Sequence, residues 1–222
     1  MITKNMHDKH PREKIIGCIN SMIGSYSAYQ IFNDWVEMMA LAFANQVMFV
    51  GHNDREKAYL DIAKRYDAEE RNKMCEMAAW LTEWADTEMT DMLGYIFMHL
   101  NMGSNALGQF FTPYHLCQLM AKLMDVKDGN VINEPTCGAG GNIIAYAEML
   151  KDNGINYQQH MYAVCQDIDL RAIFMCYVQL SIYGVPACVY QTNTLSDPNG
   201  LNSSTGKWYT FMAAMNLTNV CL

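Results

Sequence analysis

Three short segments in the second half of the chain carry residues whose types and spacing could do chemistry. Residues 134–141 read Glu-Pro-Thr-Cys-Gly-Ala-Gly-Gly. They follow an apolar run, Val131-Ile-Asn-Glu134, and precede a helical pattern from Asn142 to Leu150. Glycines in such a strand-to-helix turn let a ligand approach the backbone, and the helix start beyond it presents unpaired N–H groups. A glycine turn alone is equally a tight connection and nothing more. The acid before it adds weight, because Glu134 at a strand end can accept hydrogen bonds from an amine or a hydroxyl. The next run, Tyr162-Ala-Val-Cys165, ends in Gln166-Asp-Ile-Asp169, where an acid is placed to bind the hydroxyls of a ribose. The third, Ala187-Cys-Val-Tyr190, leads into Gln191-Thr-Asn-Thr-Leu195, where the Asn193 amide can read an adenine edge. Each residue has a plainer alternative: Asp169 caps the following helix, and Asn193 closes an Asx turn. Together, Glu134, Asp167 and Asn193 at three successive strand tips point to a nucleoside-containing ligand.

The elements that must position these tips follow from the pattern around them. Short apolar runs alternate with helical stretches at 142–150 and 170–183, the second closed by Gly184, and this predicts a parallel α/β sheet. Trp208-Tyr-Thr-Phe-Met212 reads as a fourth strand. Thr112-Pro113 opens a helix with Pro at the first helical position and Leu116, Leu119, Met120 and Leu123 as its apolar face. Before residue 107 the pattern is helical throughout. Ser27-Ala-Tyr-Gln30 has the form of a capping box, Asn53-Asp-Arg-Glu56 and Asp67-Ala-Glu-Glu70 open two further helices, and Met89 to Leu100 reads as an amphipathic one. Residues 102–108 read as a loop. The expected organisation is a helical N-terminal domain over 1–107 and a partial Rossmann-like sheet domain over 108–222.

Composition narrows the function classes. The chain has 222 residues, 51% of them hydrophobic and 17% charged, which is a core-forming composition. Its net charge of -8 argues against a surface that binds nucleic acid all over, though not against a basic groove or a partner that supplies the contacts. The richest basic stretch, Lys4 to Lys14, is mixed with Asp8 and Glu13 and reads as a solvated tail. The apolar stretch from Met38 to Val50 is too short and too interrupted to cross a membrane. The eight cysteines never form a Cys-x-x-Cys pair, which points to buried, reduced thiols, no metal site and a cytoplasmic location. The 19 methionines read as core filling.

Taken in order, Gly108-Gln-Phe-Phe-Thr-Pro113, Glu134-Pro-Thr-Cys-Gly-Ala-Gly-Gly141, Gln166-Asp-Ile-Asp169 and Asn193-Thr-Leu195 resemble the cofactor-binding motifs of N6-adenine DNA methyltransferases. The likeness is to the modification subunits of type I restriction systems and their small mobile-element relatives. It spans roughly residues 86–200. It implies an S-adenosylmethionine-dependent methyltransferase fold, with S-adenosyl-L-methionine as cofactor and DNA as substrate. Phe111, Thr112 and Pro113 would border the methionine part of that cofactor. Glu134, Cys137, Gly138 and Gly140 would surround its methionine and ribose, Asp167 would hold the ribose hydroxyls, Ile168 would lie against the adenine, and Asn193 would meet the adenine amine.

The chain departs from the family at one point. The family's transfer motif, Asn/Asp-Pro-Pro-Tyr/Phe, follows the fourth strand, and this sequence contains no Pro-Pro. Ala213-Ala-Met-Asn216-Leu-Thr-Asn219 stands there instead, so no catalytic residue is assigned. Two functions follow as expectations. One is methyl transfer to adenine N6 in DNA in a restriction–modification setting. The other is a catalytically silent cofactor-binding or regulatory subunit. A sheet of about four strands would leave its fourth strand with an apolar, unpaired edge, which implies a second copy or a partner protein covering it.

Overall fold

Capping chemistry decides where the helices begin. The computed structural model describes residues 9–100, 111–124, 130–203 and 206–220. Helix α1 (Pro11–Met22) starts on His10, whose Nδ1 accepts from the Arg12 N–H at 3.2 Å. The solvated tail expected up to Lys14 is therefore cut short: Pro11 is pre-set for a first helical turn, and Lys14 pairs with Glu83 at 3.4 Å. Helix α2 (Ala28–Val47) starts on Ser27, whose hydroxyl accepts from the Gln30 N–H at 3.1 Å. Helix α3 (His52–Ala63) begins one residue earlier than Asn53, because Gly51 at φ 76° turns the chain into it without a side-chain cap. Helix α4 (Ala68–Thr87) has the full capping box between Asp67 and Glu70. Helix α5 (Met92–His99) starts on Asp91, which accepts from the Gly94 N–H at 3.0 Å. The loop expected over 102–108 lies outside the described residues.

Helix α6 (Tyr114–Leu123) takes Pro113 as its cap rather than as its first residue. Its faces are reversed relative to expectation. Tyr114 Oη and Gln118 Nε2 donate to Glu148 Oε2 at 2.9 and 2.8 Å, which turns Cys117 and Ala121 inward. Leu116, Leu119, Met120 and Leu123 are left outward, Leu123 with 79% of its surface exposed.

Strand β1 (Asn130–Glu134) is followed by α7 (Gly141–Asp152), the one-turn α8 (Tyr157–His160), β2 (Met161–Asp167), α9 (Leu170–Ile182) and β3 (Ala187–Gln191). β4 (Trp208–Tyr209) and α10 (Phe211–Val220) complete the described chain. The sheet order is β1-β2-β3-β4. β1, β2 and β3 are parallel, as expected for strands joined by helices. The expected fourth strand is corrected in both length and direction, since it is two residues long and runs antiparallel to β3. Thr210 explains its end. Its hydroxyl donates to the Val185 carbonyl at 2.7 Å and accepts from the Ala187 N–H at 3.0 Å, taking a ladder position with a side chain and turning the chain into α10. Asn216 falls within that helix.

The two halves share one continuous apolar core, from Ile15 in α1 to Trp208 in β4. α2 packs along α9, and the Tyr183 hydroxyl accepts from the Thr90 N–H at 3.0 Å. Among the described residues no helix is long and apolar enough to cross a membrane. Trp35 anchors the helical part: it is buried, and its Nε1 donates to the Met74 carbonyl at 3.1 Å, tying α2 to α4. Trp35→Ala is expected to cost about 3–5 kcal/mol, read from chemical denaturation curves.

Candidate functional site

The parallel strands all end on one side of the sheet, and the turn after β1 lies there. Residues 135–140 fold back against β2, where the Cys137 N–H donates to the Gln166 carbonyl at 2.8 Å. Gly138 (φ 53°) and Gly140 (φ 96°) occupy the left-handed region, and space is as restrictive as conformation. A Cβ on Gly138 would lie 2.9 Å from the Phe111 ring, and one on Gly140 would lie 3.1 Å from Cys176 Sγ.

A cavity of about 360 Å³ opens beside this turn, within the roughly 300–1,000 Å³ range of small-molecule sites. One wall is the turn itself with Cys137, Gly138 and Asn142. A second is the tip of β2 and the start of α9, with Asp167, Ile168 and Ala172. The third comes from before the sheet: Phe111, Thr112, Cys117 and Asp91.

Of the ten residues singled out from sequence, Phe111, Thr112, Cys137, Gly138, Asp167 and Ile168 line this one cavity. Pro113 stands behind them as the cap of α6, and Gly140 as the cap of α7. Glu134 is not on the cavity wall; its Oε2 accepts from Asn142 Nδ2 at 2.9 Å and so aims the Asn142 side chain. Asn193 lines a neighbouring hollow of about 430 Å³ that shares Ile168 with the first. Its Oδ1 accepts from the Leu195 N–H at 3.1 Å, the Asx turn that is its structural alternative. Asp169 likewise caps α9, accepting from the Arg171 N–H at 3.0 Å.

Asp167 ties the site together. One carboxylate oxygen accepts from the Gly138 N–H at 3.0 Å and the other from the Asp169 N–H at 2.9 Å. Each oxygen keeps a lone pair for a ligand hydroxyl. Thr194 holds the loop after β3 to the turn through its hydroxyl, which donates to the Pro135 carbonyl at 2.8 Å.

Among the wall residues not singled out from sequence are Asp91, Cys117 and Asn142. Asp91 looks from sequence like one helix cap among several. Asn142 carried a signal, since it is the first polar side chain after the glycines. The Asn142 amide nitrogen must face Glu134, because a carboxylate only accepts. Its Oδ1 is then buried, with no hydrogen-bond partner among the described residues.

The sequence pattern of the N-6 DNA Methylase family matches residues 85–211, more than half of the chain. The chain belongs to this family. It is 29% identical over 117 residues to the type I restriction enzyme EcoEI methylase subunit of Escherichia coli, covering 49% of this chain and 23% of that protein. It is 34% identical over 77 residues to the MjaIX methylase subunit of Methanocaldococcus jannaschii, covering 35% and 13%. The chain therefore spans less than a quarter of the length of these curated relatives. A crystal structure of a type I restriction-modification methyltransferase subunit from Streptococcus thermophilus aligns with a TM-score of 0.44 and 12% identity, over 86% of this chain and 59% of that one. The match to the N-6 DNA Methylase family covers the glycine turn, all three parallel strand tips and the Phe111 segment.

Two thiols line the cavity, Cys117 and Cys137, and burial raises the pKa of both. Burial pushes Cys137 up to about 11, and Cys176 lies between it and Cys165. Only a small thiolate fraction exists below that pH, and the thiolate is the reactive form. At pH 8, alkylation mapped by mass spectrometry is expected to modify the exposed Cys75 at least about tenfold faster than Cys137. Raising the pH towards 11 should narrow the gap.

Proposed function

We propose that this chain is the cofactor-holding part of an S-adenosylmethionine-dependent adenine DNA methylase of restriction–modification type. The observation that carries this reading is the convergence of the glycine turn, the β2 acid and Phe111-Thr112 on one cavity. The residues present suit the cofactor. Gly138 lines the cavity where a Cβ would press against the Phe111 ring, and the buried Asn142 Oδ1 has no donor among the described residues. Asp167 would take the ribose hydroxyls, Ile168 would lie against the adenine, and Cys137 and Phe111 would exclude water from the carbons around the sulfonium. Glu134 would act through Asn142. Asn193 would reach the adenine from the adjoining hollow if the base extends past Ile168.

The cofactor would supply an activated methyl group. Transfer would need the target amine held in line with it, a matter of position rather than of covalent catalysis. A second reading, a catalytically silent binder, is favoured by one observation: residues 211–220 form α10 where the family's transfer motif is expected, and the sequence has no Pro-Pro. Calorimetry with S-adenosylmethionine is expected to show binding by the wild type, weakened roughly tenfold or more in Asp167→Ala. Tritiated methyl transfer to adenine-containing DNA, with and without added subunits, then separates the readings. Incorporation supports the enzyme. Cofactor binding without incorporation under any pairing supports the silent subunit.

Partner association belongs to the same reading. Among the described residues no strand pairs with the outer edge of β1, and Val131 there is 66% exposed. The outward Leu116–Leu123 stripe of α6 adds further exposed apolar surface to the same half of the chain. An open edge and an apolar stripe invite a second chain. Light scattering is expected to show a species heavier than one chain, or one formed on adding a partner subunit. A stable monomer that binds neither a second copy nor a subunit would count against it.

A further inference from the structure

The cavity contains an acid that the cofactor reading has not used. Asp91 is 6% exposed and lies on the cavity wall. Its Oδ1 accepts from the Gly94 N–H at 3.0 Å and from Gln179 Nε2 at 2.8 Å. Capping α5 requires one oxygen only, and Ser or Asn would serve. The second oxygen, Oδ2, is turned towards Gly141, where an added Cβ would sit 3.4 Å from it. Among the described residues no cation pairs with Asp91. Burial holds its carboxyl above the usual carboxylate range, opposed by the hydrogen bonds from Gln179 and Gly94. A buried acid facing a cavity without a countercharge is costly unless a ligand brings one.

The glycine turn orients the cavity. Its Gly138 end touches Asp167, and its Gly141 end touches Asp91 and Cys117. Asn142, next in the chain, adds the unpartnered buried Oδ1. If the nucleoside lies at the Asp167 end, the amino-acid end of the cofactor reaches the Asp91 end. Asp91 there lacks a positive partner, and the neutral Asn142 oxygen on the same cavity lining lacks a donor.

We propose that Asp91 and Asn142 together receive the α-ammonium group of the cofactor's amino-acid moiety. This rests on reading the cavity as an S-adenosylmethionine site, and it adds a residue from the helical half to that site. Asp91→Asn keeps an acceptor for Gly94 and Gln179 while removing the charge.

The test is calorimetry of wild type and Asp91→Asn with four ligands: S-adenosylmethionine, S-adenosylhomocysteine, its deaminated analogue, and 5′-methylthioadenosine, which lacks the amino-acid group. Asp91→Asn is expected to weaken S-adenosylhomocysteine by roughly tenfold or more, and 5′-methylthioadenosine by less than about twofold. The wild type is expected to prefer S-adenosylhomocysteine over the deaminated analogue, and the variant to lose that preference. Equal weakening of S-adenosylhomocysteine and 5′-methylthioadenosine would mean a merely structural role and overturn the proposal. Weakening of S-adenosylmethionine alone would place the acid against the sulfonium and overturn it too. If the wild type binds none of the four, the cofactor reading itself fails. Should melting curves show Asp91→Asn unfolded, Asn142→Leu takes its place with the same ligand pattern, and equal wild-type affinity for S-adenosylhomocysteine and its deaminated analogue refutes the assignment.

Discussion

The molecule turns on one buried amide. Gln179, in the last turn of α9, is fully enclosed, and both of its N–H groups are engaged, with Asp91 Oδ1 at 2.8 Å and the Ala139 carbonyl at 2.7 Å. Its Oε1 accepts from the Leu93 N–H at 3.0 Å. One side chain therefore joins the start of α5, the glycine turn and the helix between β2 and β3. A buried acceptor left without such a donor costs about 1–3 kcal/mol, and here two acceptors and one donor depend on the same group. The helical segment before the sheet is thus not an appendage. It supplies a wall of the cavity and is locked to the turn that supplies another.

Around this centre the polar groups hold each other before they can hold a ligand. Glu134 aims Asn142, Asp167 pins the turn to the start of α9, and Thr194 ties the third strand's loop to Pro135. Asn142 and Asp167 are thereby fixed on the cavity wall, and the loops behind them are held in place. Little ordering is then left for binding to bring about, and binding to a preorganised site loses less free energy to that ordering. The family match covers the turn, the three strand tips and Asp91 alike.

Much of this was legible from local rules. The Ser27 and Asp67 caps, the parallel order of β1, β2 and β3, and the glycine turn all follow from short-range chemistry that neighbouring residues share. Where distant packing decides, sequence pattern failed. The apolar stripe of α6 looked like a core face, but two hydrogen bonds to Glu148 turned its other side inward. β4 looked longer and parallel, but the Thr210 side chain took over its ladder. The α1 start reads as tail in the sequence because basic and acidic residues flank Pro11. Asp91 stayed hidden because its cap to Gly94 is local and complete, while its link to Gln179 spans 88 positions. Glu134 and Asn193 were legible as polar tips, but not that one would work through Asn142 and the other would line an adjoining hollow.

The 88-residue separation between Asp91 and Gln179 bears on how the protein is made. A ribosome extends the chain by about 5–20 residues per second, and earlier segments begin to fold as they emerge. The caps of α2 and α4 can form at once, but the turn after β1 waits several seconds for the helix that clamps it. During that interval the first strand stands in water beside the outward leucines of α6, before β2 exists to pair with it. The nascent polypeptide is most exposed to self-association in that window, so a factor that shields it then would matter more to yield than one acting on the finished fold.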